Sequence, residues 1–148
     1  PLQRRTTAWP LAWLCVLVIC YASLYPFEDW RNQDIAPWSF VRAPWPKYQT
    51  LFDMGSNLFG YMPLGFWLSL AMLRSAKPHW AAVLLGFLGA LGLSFFMECS
   101  QSYLPQRVPS HVDWLFNTLG GLIGAVLAAI KAKVATIERK LAGNMDSE

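Results

Sequence analysis

Charge is what this chain has least of. Lys, Arg, Asp and Glu make up only 14% of its 148 residues, against about 25% in ordinary soluble domains. That deficit excludes a chain solvated on all sides and points to a membrane. Histidine and cysteine are scarce too: His79 and His111 are the only histidines, and Cys15, Cys20 and Cys99 the only cysteines. The cysteines are odd in number, lie in apolar segments and lack metal-ligand spacing. They imply no disulfide framework and read as small buried apolar residues. No close His/Cys cluster exists for zinc, so no metal is expected. A phosphate-cradling glycine loop, a Ser/His/Asp arrangement and a nucleic-acid patch are also missing, so neither a cofactor nor a nucleic-acid partner is expected. The net charge of +3 is too small and too scattered to suggest otherwise.

What the chain has instead is apolar and aromatic: 55% of its residues are hydrophobic, with eight Trp and nine Phe. Aromatic rings collect at both bilayer interfaces, so membrane lipids are the expected surroundings and one domain is expected. Four apolar segments follow one another: Trp9 to Phe27, about Asp53 to Leu73, about His79 to Leu104, and about His111 to Ile130. The first, with about 19 residues at 1.5 Å each, could span a hydrocarbon core of about 30 Å. It ends without an A-x-A cleavage site, and Arg4-Arg5 and Cys20 lack the contexts of a twin-arginine or lipoprotein signal, so it reads as a retained helix. Pro63, inside the second segment, lacks the N–H that would bond the Phe59 carbonyl and predicts a kink there. The predicted class is an all-α membrane protein with four transmembrane helices, followed by a cytoplasmic, partly helical tail over 131–148.

Between the first two segments, Pro37, Pro44 and Pro46 alternate with Trp30, Trp38 and Trp45. This mixture breaks regular helix and suits the membrane interface; the rings either anchor there or stack on a sugar or peptide. The basic residues set the orientation. Arg4, Arg5, Arg74, Lys77, Lys131, Lys133, Arg139 and Lys140 fall on one side of the four segments; only Arg31, Arg42, Lys47 and Arg107 fall on the other. Both termini are therefore expected in the cytoplasm, with the 28–49 loop and the LPQRVPS turn outside the inner (plasma) membrane.

The stretch from Phe96 to Gly124 sets Glu98, Gln101, Arg107, His111, Asp113 and Asn117 among apolar segments. An Asp at the centre of a membrane helix costs about 2.5–3.5 kcal/mol on insertion scales, so such groups pair, face a wet cavity or do chemistry. Ser94, Glu98 and Gln101 share one stripe of the third helix, with Gly86, Gly89 and Gly92 roughly opposite; Asp113, Asn117, Gly120 and Gly124 share a stripe of the fourth. The glycines permit close approach of a neighbouring helix. Thr50-x-x-Asp53-x-x-x-Asn57-x-x-Gly60 recurs sixty residues on as Ser110-x-x-Asp113-x-x-x-Asn117-x-x-Gly120. The echo suggests two pseudo-repeated helical hairpins with a polar site between them. Helix capping is the competing account of Asp53 and Asp113, because Ser/Thr-x-x-Asp before an apolar run places a carboxylate on the first backbone donors.

Asp53-x-x-x-Asn57 followed by Met62-Pro63-Leu64-Gly65-Phe66, then Glu98-x-x-Gln101, Leu104-Pro105-x-Arg107 and Asp113-x-x-x-Asn117-Thr118-x-Gly120, resembles the VanZ-like family over roughly residues 53–128. That family is named for a membrane protein associated with teicoplanin resistance. The resemblance implies a small helical inner-membrane protein of the bacterial cell envelope, an antibiotic-resistance connection, and a shared polar set of Asp53, Asn57, Glu98, Gln101, Arg107, Asp113 and Asn117. It carries no reaction with it. Where many members place further acidic residues between the Arg and the second Asn, this chain has Ser110, His111 and Val112. It therefore lacks the extra aspartate that a metal or two-carboxylate mechanism would use.

Two functions fit these residues. In one, the protein alters envelope properties or glycopeptide access, with a cell-wall precursor or a glycopeptide as ligand. In the other it is an enzyme acting on a lipid-linked or cell-wall substrate. There Glu98 or Asp113 would be the acid or base, Arg107 would grip an anionic group, and Asp53, Asn57, Gln101 and Asn117 would bind substrate. Glu98 lies nearly two turns before Leu104, deeper than Asp113, and is the first candidate for chemistry.

Overall fold

The computed structural model describes residues 6–145, among which there are four α-helices, one short 3₁₀ turn and no strand. The helices are α1 (Ala8–Leu24), α2 (Leu51–Arg74), α3 (His79–Gln101) and α4 (His111–Met145); the 3₁₀ turn is Ser39–Arg42. Arg4 and Arg5 of the charge count, and the last three residues of the tail, lie outside the described residues.

Each boundary has a local cause. α1 stops at Leu24, three residues before the expected Phe27, because Pro26 disfavours the helical conformation at the residue before it; Tyr25 is at ψ 136°. Thr50 and Asp53 close a capping box at the start of α2. The Asp53 carboxylate accepts from the Thr50 N–H at 3.0 Å, and Asp53 N–H donates to Thr50 Oγ1 at 3.1 Å. Helix α2 continues through Pro63 without a break. α4 runs past the expected Ile130 to Met145, because the segment after Lys131 is made largely of good helix formers (Ala132, Lys133, Ala135, Glu138, Arg139, Lys140, Leu141, Ala142) and contains no proline.

Among the described residues, only α3 and α4 are long and apolar enough to cross a membrane, with mean hydropathies of 2.0 and 1.6. This falls short of the four expected spans. α1 is apolar but has 17 residues, and the 24-residue α2 carries Asp53, Ser56 and Asn57 in its first two turns.

The helices alternate in direction. Thr6, just before α1, meets Arg74 at the end of α2, and the α1 C-terminus meets Gln101 at the end of α3. Helix α2 touches the other three. Its contact with α4 is backbone on backbone: a Cβ added to Gly120 would lie 2.0 Å from the Leu58 carbonyl oxygen, and one added to Gly124 1.9 Å from that of Met62. The partners step together by one turn, so α2 and α4 run parallel. On α3, Gly86 faces Ala125 and the Gly65 carbonyl, Gly89 faces Leu68, and Gly92 meets nothing. Two apolar clusters fill the bundle, one around Ile19, Tyr61, Leu64, Ala90 and Met97, the other around Ala8, Leu70, Ala71 and Ala128. The three cysteines are free and half-buried rather than buried.

The loop between α1 and α2 is pinned from below. Phe40 is buried, with its ring 5.6 Å from Phe95 and 6.1 Å from Trp114, while Trp30, Trp38 and Trp45 remain exposed. Arg31 N–H donates to the Tyr103 carbonyl at 3.0 Å and Gln33 Nε2 to that of Ser102 at 2.7 Å, laying the loop across the α3–α4 turn.

Candidate functional site

The polar residues meet where α1 and α3 end and α2 and α4 begin. A cavity of about 390 Å³ there is lined by Asn57, Glu98, Gln101, Arg107, Asp113 and Asn117. Asp53 does not line it, because its carboxylate is held in the α2 cap. Ser56, Tyr61 and Gln106 complete much of the polar wall. None of these three stands in a pattern that would single it out in the sequence.

Glu98 is buried and does the work that the echo assigns to Asp113. Its Oε2 accepts from the buried Ser110 N–H at 2.8 Å, the bond that Asp53 makes to Thr50 in α2. Ser110 Oγ in turn accepts from Val112 N–H at 3.2 Å and, more weakly, from Asp113 N–H at 3.4 Å. The α4 capping arrangement is thus closed from another helix, which ties α3 to the start of α4. Asp113 is released from capping: its Oδ1 accepts from Gln49 Nε2 at 3.0 Å, and Asn57 also interacts with its carboxylate. One sequence pattern therefore gives two geometries, a cap at Asp53 and a cavity wall at Asp113.

Gln101 and Arg107 hold the end of α1. The last carbonyls of a helix need outside donors, and Pro26 has no N–H to give the Ala22 carbonyl. Arg107 Nη2 supplies that bond at 2.9 Å and a second to the Tyr25 carbonyl at 2.7 Å, while its Nε reaches Tyr25 at 3.0 Å. Gln101 Nε2 donates to the Ser23 carbonyl at 3.0 Å. The guanidinium charge also sits at the negative end of the helix dipole, where cations are stabilising. Arg107 is therefore a side-chain cap for α1 that lines the cavity, with two of its three nitrogens committed, rather than an open grip for an anion.

The floor has hydrogen-bonding capacity left unfilled. Asn117 is 4% exposed; its Nδ2 donates to Ser94 Oγ at 2.9 Å, and its Oδ1 is buried without a partner. The Tyr61 hydroxyl lies near Ser94 but makes no well-formed hydrogen bond. Glu98 Oε1 has no hydrogen-bond partner among the described residues. Buried polar atoms are nearly always satisfied, so such vacancies mark a place for water or ligand. Asp113 and Val108 also border a second, more apolar groove of about 520 Å³ along Ala43 to Gln49, which includes Trp45. No three His, Cys, Asp or Glu side chains among the described residues cluster closely enough to hold a metal ion.

Comparison with known proteins gives one relationship. No curated protein and no solved structure matches the chain. The family model described as VanZ/LLP1 matches residues 5–132, which takes in all four helices apart from the end of α4. The polar cavity is thus built within the matched region, and the chain belongs to the VanZ/LLP1 family.

Proposed function

We propose that this protein crosses the plasma membrane of a bacterium four times, with both termini in the cytoplasm. Its polar cavity opens at the outer leaflet and binds a cell-wall precursor or glycopeptide, which alters glycopeptide (teicoplanin) susceptibility. The observation that carries this reading is the convergence of Asn57, Glu98, Gln101, Arg107, Asp113 and Asn117 on one cavity whose deep acceptor, Asn117 Oδ1, lacks a donor. A wall rich in acceptors suits a ligand that presents amide N–H, ammonium or hydroxyl groups. The adjoining groove beside Trp45 suits an apolar or planar portion of the same molecule. Lipid-linked and peptide-bearing envelope precursors combine the two. Asn57→Ala and Asn117→Ala, at unchanged membrane abundance, are expected to restore wild-type susceptibility in a strain protected by the unmodified protein; retained protection in both would reject the cavity as the binding site.

A second reading, an enzyme acting on such a substrate, is supported by one feature of Glu98. Its Oε2 is fixed by Ser110 while Oε1 has no hydrogen bond among the described residues, in a cavity shared with Asp113. A positioned carboxyl with one oxygen free is what proton transfer to or from a bound group requires.

The orientation has its own test. In a chain with its three cysteines replaced, Trp45→Cys and Val108→Cys should react with an impermeant maleimide in intact cells, whereas Ala76→Cys and Lys140→Cys should react only after lysis. The opposite pattern would turn the topology over.

A further inference from the structure

The other end of the bundle holds another cavity, of about 400 Å³, in which positive charge gathers from three helices. Arg74 and Lys77 come from the end of α2 and the turn after it, His79 from the start of α3, and Lys131 and Arg139 from α4. Among the described residues, no carboxylate lines it. The known partners of these cations are neutral: Arg74 Nη1 donates to Thr6 Oγ1 at 3.2 Å, and Lys131 Nζ lies 5.7 Å from the centre of the Phe66 ring. The start of α3 adds a second reason to expect an anion. Its N-cap is Pro78, which offers no side-chain cap, and its first turn has no acidic residue, so the helix begins with its amide donors and positive dipole end unanswered. Four permanent cations around one space repel one another, and a bound anion would reverse the sign of that term.

We propose that this cavity binds the phosphate of an anionic phospholipid headgroup. The depth fits a lipid. The cavity lies where the apolar span of α3 begins: His79 lines it, and the next residue in the chain, Trp80, is 72% exposed and placed as an interfacial anchor. Its wall also includes Leu70 and Leu73, which gives a lipid glycerol and upper chain an apolar surface that a free ion would not use. Basic pockets between helices are suited to such headgroups.

The test is native mass spectrometry of the full chain in detergent, titrated with phosphatidylglycerol or with phosphatidylcholine. Phosphatidylglycerol should bind about thirtyfold more tightly, and Arg74→Gln/Arg139→Gln should remove about that factor, as expected for two cations at a headgroup. Because Arg74 also holds Thr6, Lys77→Gln/Arg139→Gln is measured beside it and should show a comparable loss. Lys133→Gln/Lys140→Gln removes the same charge outside the cavity and should leave the preference in place. Equal binding of the two lipids would overturn the proposal, as would an equal loss in the Lys133/Lys140 pair. Displacement of phosphatidylglycerol by millimolar inorganic phosphate would assign the site to the free anion and overturn it as well.

Discussion

Gly124→Val is expected to remove the folded protein from the membrane. A Cβ at position 124 would lie 1.9 Å from the Met62 carbonyl oxygen and 2.9 Å from the Phe66 nitrogen, both backbone atoms that no rotamer change can move aside. Overpacking a well-filled core costs about 1–3 kcal/mol and occasionally more. Here the only relief is to part α2 from α4, which also opens the Gly120–Leu58 contact one turn away. Gly92 provides the control, because a Cβ there meets nothing within 4 Å. Gly92→Ala should be neutral or stabilising by about 0.5–1 kcal/mol, since alanine is the better helix former. Quantitative blotting of membrane fractions, with thermal unfolding of the purified variants, distinguishes the two. Equal abundance of Gly124→Val and wild type would mean that the α2–α4 seam is not packed as described.

Glu98→Ala should also sharply lower abundance, for a different reason. It leaves the buried Ser110 N–H without an acceptor, which costs about 1–3 kcal/mol, and cuts the tie between α3 and the start of α4. Glu98→Gln keeps an acceptor oxygen for Ser110 and should accumulate normally. Asp113→Asn should accumulate normally too, because the Asp113 side chain faces Gln49 rather than capping its own helix. If Asp113→Asn were depleted and Glu98→Ala were not, the assignment of the cap to Glu98 would be wrong.

These expectations show where the sequence was readable. The four apolar segments become the four helices, since each is bounded by proline, basic residues or a capping pattern. The polar stripes of α3 and α4 reach one cavity because helical periodicity fixes their faces once the glycine seams are packed. The Ser/Thr-x-x-Asp pattern could not say that Asp53 would cap while Asp113 would not. That outcome depends on Glu98, twelve residues before Ser110 and across a turn, reaching its N–H first. Pro26 signals an orphan carbonyl at Ala22, but nothing local reveals that Arg107, far along the chain, supplies the donor. Phe40 likewise looks like any interfacial aromatic until the loop folds over Phe95 and Trp114.

The proposed function requires that the buried carboxyl of the polar cavity meets a ligand and does more than hold helices together. Glu98→Gln tests it most directly, because the change retains the Ser110 bond and the side-chain shape while removing the titratable proton. The measurement is teicoplanin susceptibility of a strain protected by the wild-type chain, with membrane abundance determined in the same cultures. The account predicts wild-type abundance with protection lost; full protection at wild-type abundance would contradict it and leave Glu98 a structural residue.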